Sequence, residues 1–331
     1  MIRSDETRRR VLLVLQMLAI TAVYFGSGRL GLLRQVGVED SVVTPLWPPT
    51  GIALASLLYL GVRVLPAIAL GALLMVVSIS GDLTLGGVGI AAGSTLAPLC
   101  SFLALRAVGF RRELDRLRDG VLLVFLGAMG GMVISATVGA GIQALSGDLP
   151  AEQFWPVWSA WWAGDAMGVL TVTPLLLVLR TARMPRREDR WAEALALAVV
   201  AVGTTVVATR SPLSMVYLLF PVLIWAALRF QLAGSAPCAL LMSVMAIVAG
   251  TDRAGAFADH TVLEVMLNLT VLNGCVALTA LLLAAIVTEH NNIRRETKLA
   301  CEELAALVEE LAPRPAPRDW PAEPRNEGGP V

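Results

Sequence analysis

The chain has 331 residues, 56% of them hydrophobic and 16% charged, with a mean hydropathy of +0.71. That composition excludes a soluble globular domain and defines a multi-span helical membrane protein. The formal net charge is zero, so no basic surplus points to nucleic acid, and two histidines with four scattered cysteines offer no metal-ligand spacing.

In chain order, 1–10 is a short basic lead. The first apolar run, 11–30, is too long for a cleavable signal peptide and has no small-residue cleavage site. Further apolar runs follow at about 46–61, 65–80, 87–108, 119–145, 154–180, 191–209, 213–230, 233–250 and 262–288. The expected fold class is therefore all-α, a polytopic transmembrane bundle of about ten spans, or eight if neighbouring short spans are merged. Cys100, Cys238 and Cys275 lie in these runs and read as small core residues.

Charge orders the passes. With the N-terminus inside, 22 of the 26 basic residues fall in cytoplasmic segments, and only Arg29, Arg34, Arg210 and Arg253 fall outside. The outer loops carry acids such as Glu39, Asp40, Asp82, Asp148 and Glu152. Both termini are expected in the cytoplasm.

Two spans carry small residues every fourth position: Gly89, Gly93, Ala97 and Ser101 in one, Gly127, Gly131, Ser135 and Gly139 in the other. Such seams let helix backbones approach closely. LWPPTG (46–51) puts Pro48 and Pro49 at a helix start, where a missing N–H does no harm. Trp47 there reads either as an interfacial anchor or as part of irregular backbone lining a cavity.

Phe154 to Arg180 is the most informative stretch. It opens with Trp155, Trp158, Trp161 and Trp162 and then buries an acid, Asp165, eleven residues and so roughly 16 Å into the span. A carboxylate at that depth must be neutral, paired or wetted, and it reads as either a ligand or signalling site or a structural hydrogen-bonding group. In FPVLIWAALRF (220–230), Pro221 bends the span and Trp225 and Arg229 share a face. Arg229 reads as snorkelling to the headgroups, with a pairing to Asp165 as the alternative.

Beyond the last span, Ile293, Thr297, Ala300, Leu304, Leu307 and Leu311 recur at spacings of four and three. That is a short heptad seam on a cytoplasmic amphipathic helix, 291–312, suited to homodimerisation. Residues 313–331 are proline-rich and read as a disordered tail.

LWPPTGIALA (46–55), RVLPAIALGALL (63–74), GFRRELDRLRD (109–119), WWAGDAMGVLTVTPLLL (161–177), FPVLIWAALRF (220–230) and ALTALLLAAIVTEH (277–290), in this order, resemble the MASE-type integral membrane sensor domains of bacteria, the first-described class. The resemblance covers residues 10–290. It implies a sensor in the bacterial inner membrane, usually joined to a histidine kinase, a diguanylate cyclase or phosphodiesterase, or PAS modules. It marks Trp47, Pro48, Pro49, Gly51, Trp162, Gly164, Asp165, Gly168, Pro174, Pro221, Trp225 and Arg229, to which the tryptophan cluster adds Trp161. No output domain follows residue 290, which fits a sensor acting on a separate partner, a fragment or a remnant.

The expected function is a membrane signal-input module that detects a small ligand or a partner membrane protein. It would pass the change through its last helix to a cytoplasmic kinase or cyclase, with no cofactor and no catalysis of its own. A transporter, or a substrate-binding subunit of one, is the alternative. No HExxH, GxSxG or Cys–His pairing supports an intramembrane enzyme.

Overall fold

A computed structural model describes residues 2–34, 36–38, 41–181, 189–211 and 215–311. The chain divides into two units, Met1–Glu289 and His290–Val331. The first unit is a helical bundle. Its helices are α1 (Ile2–Leu32), α2 (Pro48–Leu60), α3 (Leu65–Ser80), α4 (Leu85–Ala107), α5 (Leu117–Leu122), α6 (Gly131–Ser146), α7 (Phe154–Thr181), α8 (Asp189–Arg210), α9 (Leu219–Phe230), α10 (Leu232–Thr251) and the start of α11 (Val262–Leu311). A π-helical segment, Leu123–Gly130, joins α5 to α6. Between α1 and α2 the expected loop is a small antiparallel hairpin, β1 (Val36–Val38) with β2 (Ser41–Val43).

Eight helical stretches among the described residues are long and apolar enough to cross a membrane. One of them, Pro48–Ser80, is two passes in opposite directions. Gly28 of α1 lies against both Pro49 at the start of α2 and Met75 near the end of α3, and the chain reverses at the 3-10 turn Gly61–Val64. At 13 and 16 residues, α2 and α3 are about 20 and 24 Å long, each shorter than the bilayer core. The apolar stretch Val216–Phe230, which holds α9, is also short.

Small residues decide which helices meet. α4 and α6 run antiparallel, with Gly89 against Ile142 and Gly93 against Val138. The Ser101 hydroxyl donates to the Gly127 carbonyl at 2.9 Å. The α4 seam thus packs on α6, and the two seams read from the sequence meet where Ser101 lies against Gly127 and Gly131. α2 and α7 run parallel and closer still. The Trp47 N–H donates to the Gly164 carbonyl at 2.9 Å, and Tyr59 O–H donates to the Leu177 carbonyl at 2.6 Å. Thr173 reaches the Gly51 carbonyl at 3.1 Å. A Cβ on Gly51 would come closer than 3.0 Å to the Gly168 carbonyl, and one on Gly168 equally close to the Trp47 carbonyl. The first part of α11 runs antiparallel to α10, with Leu269 at Gly250 and the Ser235 hydroxyl on the Ala280 carbonyl at 3.1 Å.

Charges collect at the two ends of the bundle. At one end Arg34 and Arg210, two of the four basic residues on the sparse side of the sequence pattern, share Asp252 at 2.7 and 3.8 Å. At the other, Arg118 donates to the Val108 carbonyl at 2.9 Å, and the Leu117 N–H donates to Glu289 at 2.8 Å. The expectation for cysteine is corrected in two places: Cys238 is buried, but Cys100 and Cys275 lie on the outer surface of the bundle. Both fall on outward positions of their helices, where a small apolar side chain is equally at home in lipid.

In the second unit, His290–Leu311 is helical and its apolar side chains Ile293, Leu304 and Leu307 are exposed. The proline-rich segment 313–331 lies outside the described residues, as does 182–188 of the basic connection between α7 and α8.

Gly51→Ala is expected to destabilise the bundle by about 2–3 kcal/mol, because its new methyl meets backbone that cannot yield. Gly141→Ala, where nothing lies within 4 Å, is expected to be neutral or mildly stabilising. Thermal unfolding of the two variants in the same detergent checks the contrast; equal Tm values would refute the close contact.

Candidate functional site

α2 begins deep. The hydrogen bond from Trp47 to Gly164 sets its first turn ten residues along α7 from Phe154, about 15 Å. A helix start in that setting leaves N–H groups to satisfy. Pro48 and Pro49 remove two of them, Trp47 N–H finds Gly164, and Thr50 O–H is shared between the Trp47 carbonyl at 2.8 Å and the Asp165 carbonyl at 3.0 Å. Gly164 and Gly168 are the gaps that admit this extended backbone, since a Cβ on either would strike the carbonyl of Thr44 or Trp47. Trp47 borders a cavity, and its N–H and carbonyl are both hydrogen-bonded.

That cavity has a volume of about 1130 Å³ and lies where α1, α3 and α6 end and α2, α4 and α7 begin. Its walls are mainly apolar, with Leu30, Ile79, Ile90 and Ile142 among them, and two tryptophans, Trp47 and Trp161, join them. Trp161 is seated on Gly139 of α6, where a Cβ would overlap its ring.

Asp165 is the acid in this wall. Its side chain is 1% exposed, and its Oδ2 has no hydrogen-bond partner among the described residues. Ser135 of α6 and Tyr24 of α1, both buried, are its polar neighbours. Among the described residues the one basic side chain in the wall is Arg29, on the exposed side of α1. Among the described residues no group of three or more His, Cys, Asp or Glu could hold a metal ion.

The sequence-marked residues divide accordingly. Trp47, Trp161, Gly164 and Asp165 line the cavity; Pro48, Pro49, Gly51 and Gly168 build the contact that shapes it. Trp162 points elsewhere, donating from Nε1 to the Met129 carbonyl at 2.8 Å in the π-helical segment and stacking on Trp158 at 6.2 Å. Pro174 lies inside α7, nine residues beyond Asp165. Pro221, Trp225 and Arg229 are on α9, outside the cavity wall. Arg229 is ion-paired to Glu193 of α8, with Nη2 2.8 Å from Oε2, so the alternative of an Arg229–Asp165 pair is not realised. Sequence reasoning passed over Tyr24, Arg29, Thr44, Ser94 and Gln143, which also line the cavity. Only Arg29 carried a signal, as one of four arginines on the sparse side of the charge pattern.

The fold is thus a many-pass helical bundle with a cavity at one end, whose wall holds a buried, incompletely bonded acid. The MASE1 family matches residues 13–291, and the chain belongs to that family of membrane-associated sensor domains of signalling proteins. No curated protein and no solved structure matches it.

Trp162→Phe is expected to destabilise the bundle by about 1 kcal/mol, since the Met129 carbonyl loses its indole donor while the apolar ring is kept. Trp155→Phe, at a ring 69% exposed, is the control with no expected change. Equal denaturation midpoints would show that the Met129 bond contributes nothing.

Proposed function

We propose that the chain is the membrane input module of a signalling pathway, and that a small ligand enters the cavity between α1, α4, α6 and α7 and engages Asp165. The observation that carries this reading is a buried carboxylate oxygen, without a partner among the described residues, in the wall of a cavity large enough for a ligand. With the N-terminus inside, as the arginine distribution favours, the cavity opens at the outer face of a bacterial inner membrane.

The route inward runs along α7. Two residues beyond Asp165, Met167 packs on Gly274 of α11. Beside Gly274, Asn273 is fully buried and its amide has no partner among the described residues. A ligand that favours one packing of α7 against α11 shifts the population of that state. The helix then continues in sequence to the exposed apolar positions Ile293, Leu304 and Leu307, through which two copies would pair and reach a separate histidine kinase or diguanylate cyclase. In this reading the chain carries no catalytic step of its own.

A second reading, transport, is favoured by the helix start at membrane depth beside an acid, a feature of substrate sites in carriers. Uptake of labelled solutes by reconstituted vesicles would support it against the sensor.

Three outcomes are expected. Cross-linking in native membranes should capture a kinase or cyclase that is lost when Ile293–Leu311 is deleted, and Asp165→Asn should change that partner's activity without impairing insertion. Leu304→Cys in a Cys301→Ser background should form disulfide-linked dimers several-fold faster than Glu302→Cys. Capture of no partner, with equal dimer rates, would refute the signalling route.

A further inference from the structure

We infer that the cavity takes a molecule carrying a primary ammonium group on an apolar body, the ammonium seated on Asp165. The inference rests on the reading of this cavity as a ligand site and adds the ligand's chemistry. A carboxyl this deeply buried stays neutral unless a countercharge or a full set of donors accompanies its ionisation. Asp165 makes no ion pair among the described residues; its Oδ2 has no partner there, and the neighbouring Ser135 hydroxyl offers the carboxyl a single neutral donor. Among the described residues the one cation of the wall, Arg29, stands five residues and about 7.5 Å further along α1 than Tyr24, the residue that neighbours Asp165.

An ammonium supplies what is absent: positive charge and three N–H donors. The Asp165 carboxylate and the Tyr24 phenol both line the cavity and supply acceptors. Beyond them the walls turn apolar at Val76, Ile79, Ile90 and Ile142, which suits a hydrocarbon body and leaves a strongly polar ligand unsatisfied. A quaternary ammonium has charge but no N–H and fits this acceptor pair less well. The same chemistry is available from two sources, a free amphipathic amine or the ethanolamine headgroup of a lipid.

The test uses the full chain in nanodiscs of phosphatidylcholine, titrated with dodecylamine and with dodecanol, which share a tail. Trp47 and Trp161 in the wall make tryptophan emission the readout. Dodecylamine is expected to reach half-effect at a concentration about tenfold below dodecanol, the scale of one charge-assisted hydrogen bond. In Asp165→Asn the ratio should fall to about one, with the dodecanol response unchanged as proof of an intact cavity. Nanodiscs containing phosphatidylethanolamine separate the sources. If the headgroup is the ligand, they weaken the dodecylamine response, and the lipid co-purifies with the wild type but not with Asp165→Asn. If a free amine is the ligand, they do neither. Equal responses to amine and alcohol, both abolished by Ser94→Phe, would overturn the ammonium inference while the cavity reading stands. No response to either probe would overturn both.

Discussion

The structure depends on one close backbone contact, between the start of α2 and the middle of α7. Trp47 N–H meets the Gly164 carbonyl at 2.9 Å, and Gly51, Gly164 and Gly168 remove the side chains that would hold the two helices apart. In lipid, helices gain little from apolar burial against one another, so close packing and interhelical hydrogen bonds carry the association. Here they also place irregular backbone inside the bundle, at a depth where it is tolerated only when its polar groups find partners or line a cavity. Two prolines, one threonine hydroxyl and one helix carbonyl meet that requirement.

The cavity follows from this contact. Because α2 starts well inside the level at which α7 begins, the space that a further turn of α2 would fill stays open, walled by the ends of α1, α3 and α6 and the start of α4. Asp165 lies one residue past the carbonyl that anchors Trp47, so its backbone is committed to α2 while its side chain borders the open space. Membership of the MASE1 family identifies the bundle as a sensor domain, and the cavity lies among the ends of six of its helices.

Polar groups elsewhere serve the frame. Asp252 gathers Arg34 and Arg210 at one end, while Glu193 and Glu289 engage Arg229 and the Leu117 N–H. These contacts are exposed, so screening limits what each contributes, and their value lies in fixing which helix ends are neighbours. Trp162 donates to the Met129 carbonyl in the π-helical turn before α6. A tryptophan that the sequence grouped with the signalling residues is in this way part of the scaffold.

The sequence by itself determined the membrane class, the run of apolar passes, their alternation in arginine content and the two small-residue seams on α4 and α6. These properties are local: partitioning between water and lipid acts on each segment, and a seam is a periodicity within one helix. Only the tertiary structure decided that α2 starts beside Gly164, ten residues along α7 from Phe154, and that Tyr24 and Ser135 neighbour Asp165. It alone placed Pro221, Trp225 and Arg229 on a helix outside the cavity. Such pairings join residues on different helices, Trp47 with Gly164 and Tyr24 with Asp165 more than a hundred positions apart, and depend on the relative depth and rotation of whole helices. Those are set by backbone approach at a few glycines, and no hydropathy or spacing pattern along one segment encodes them.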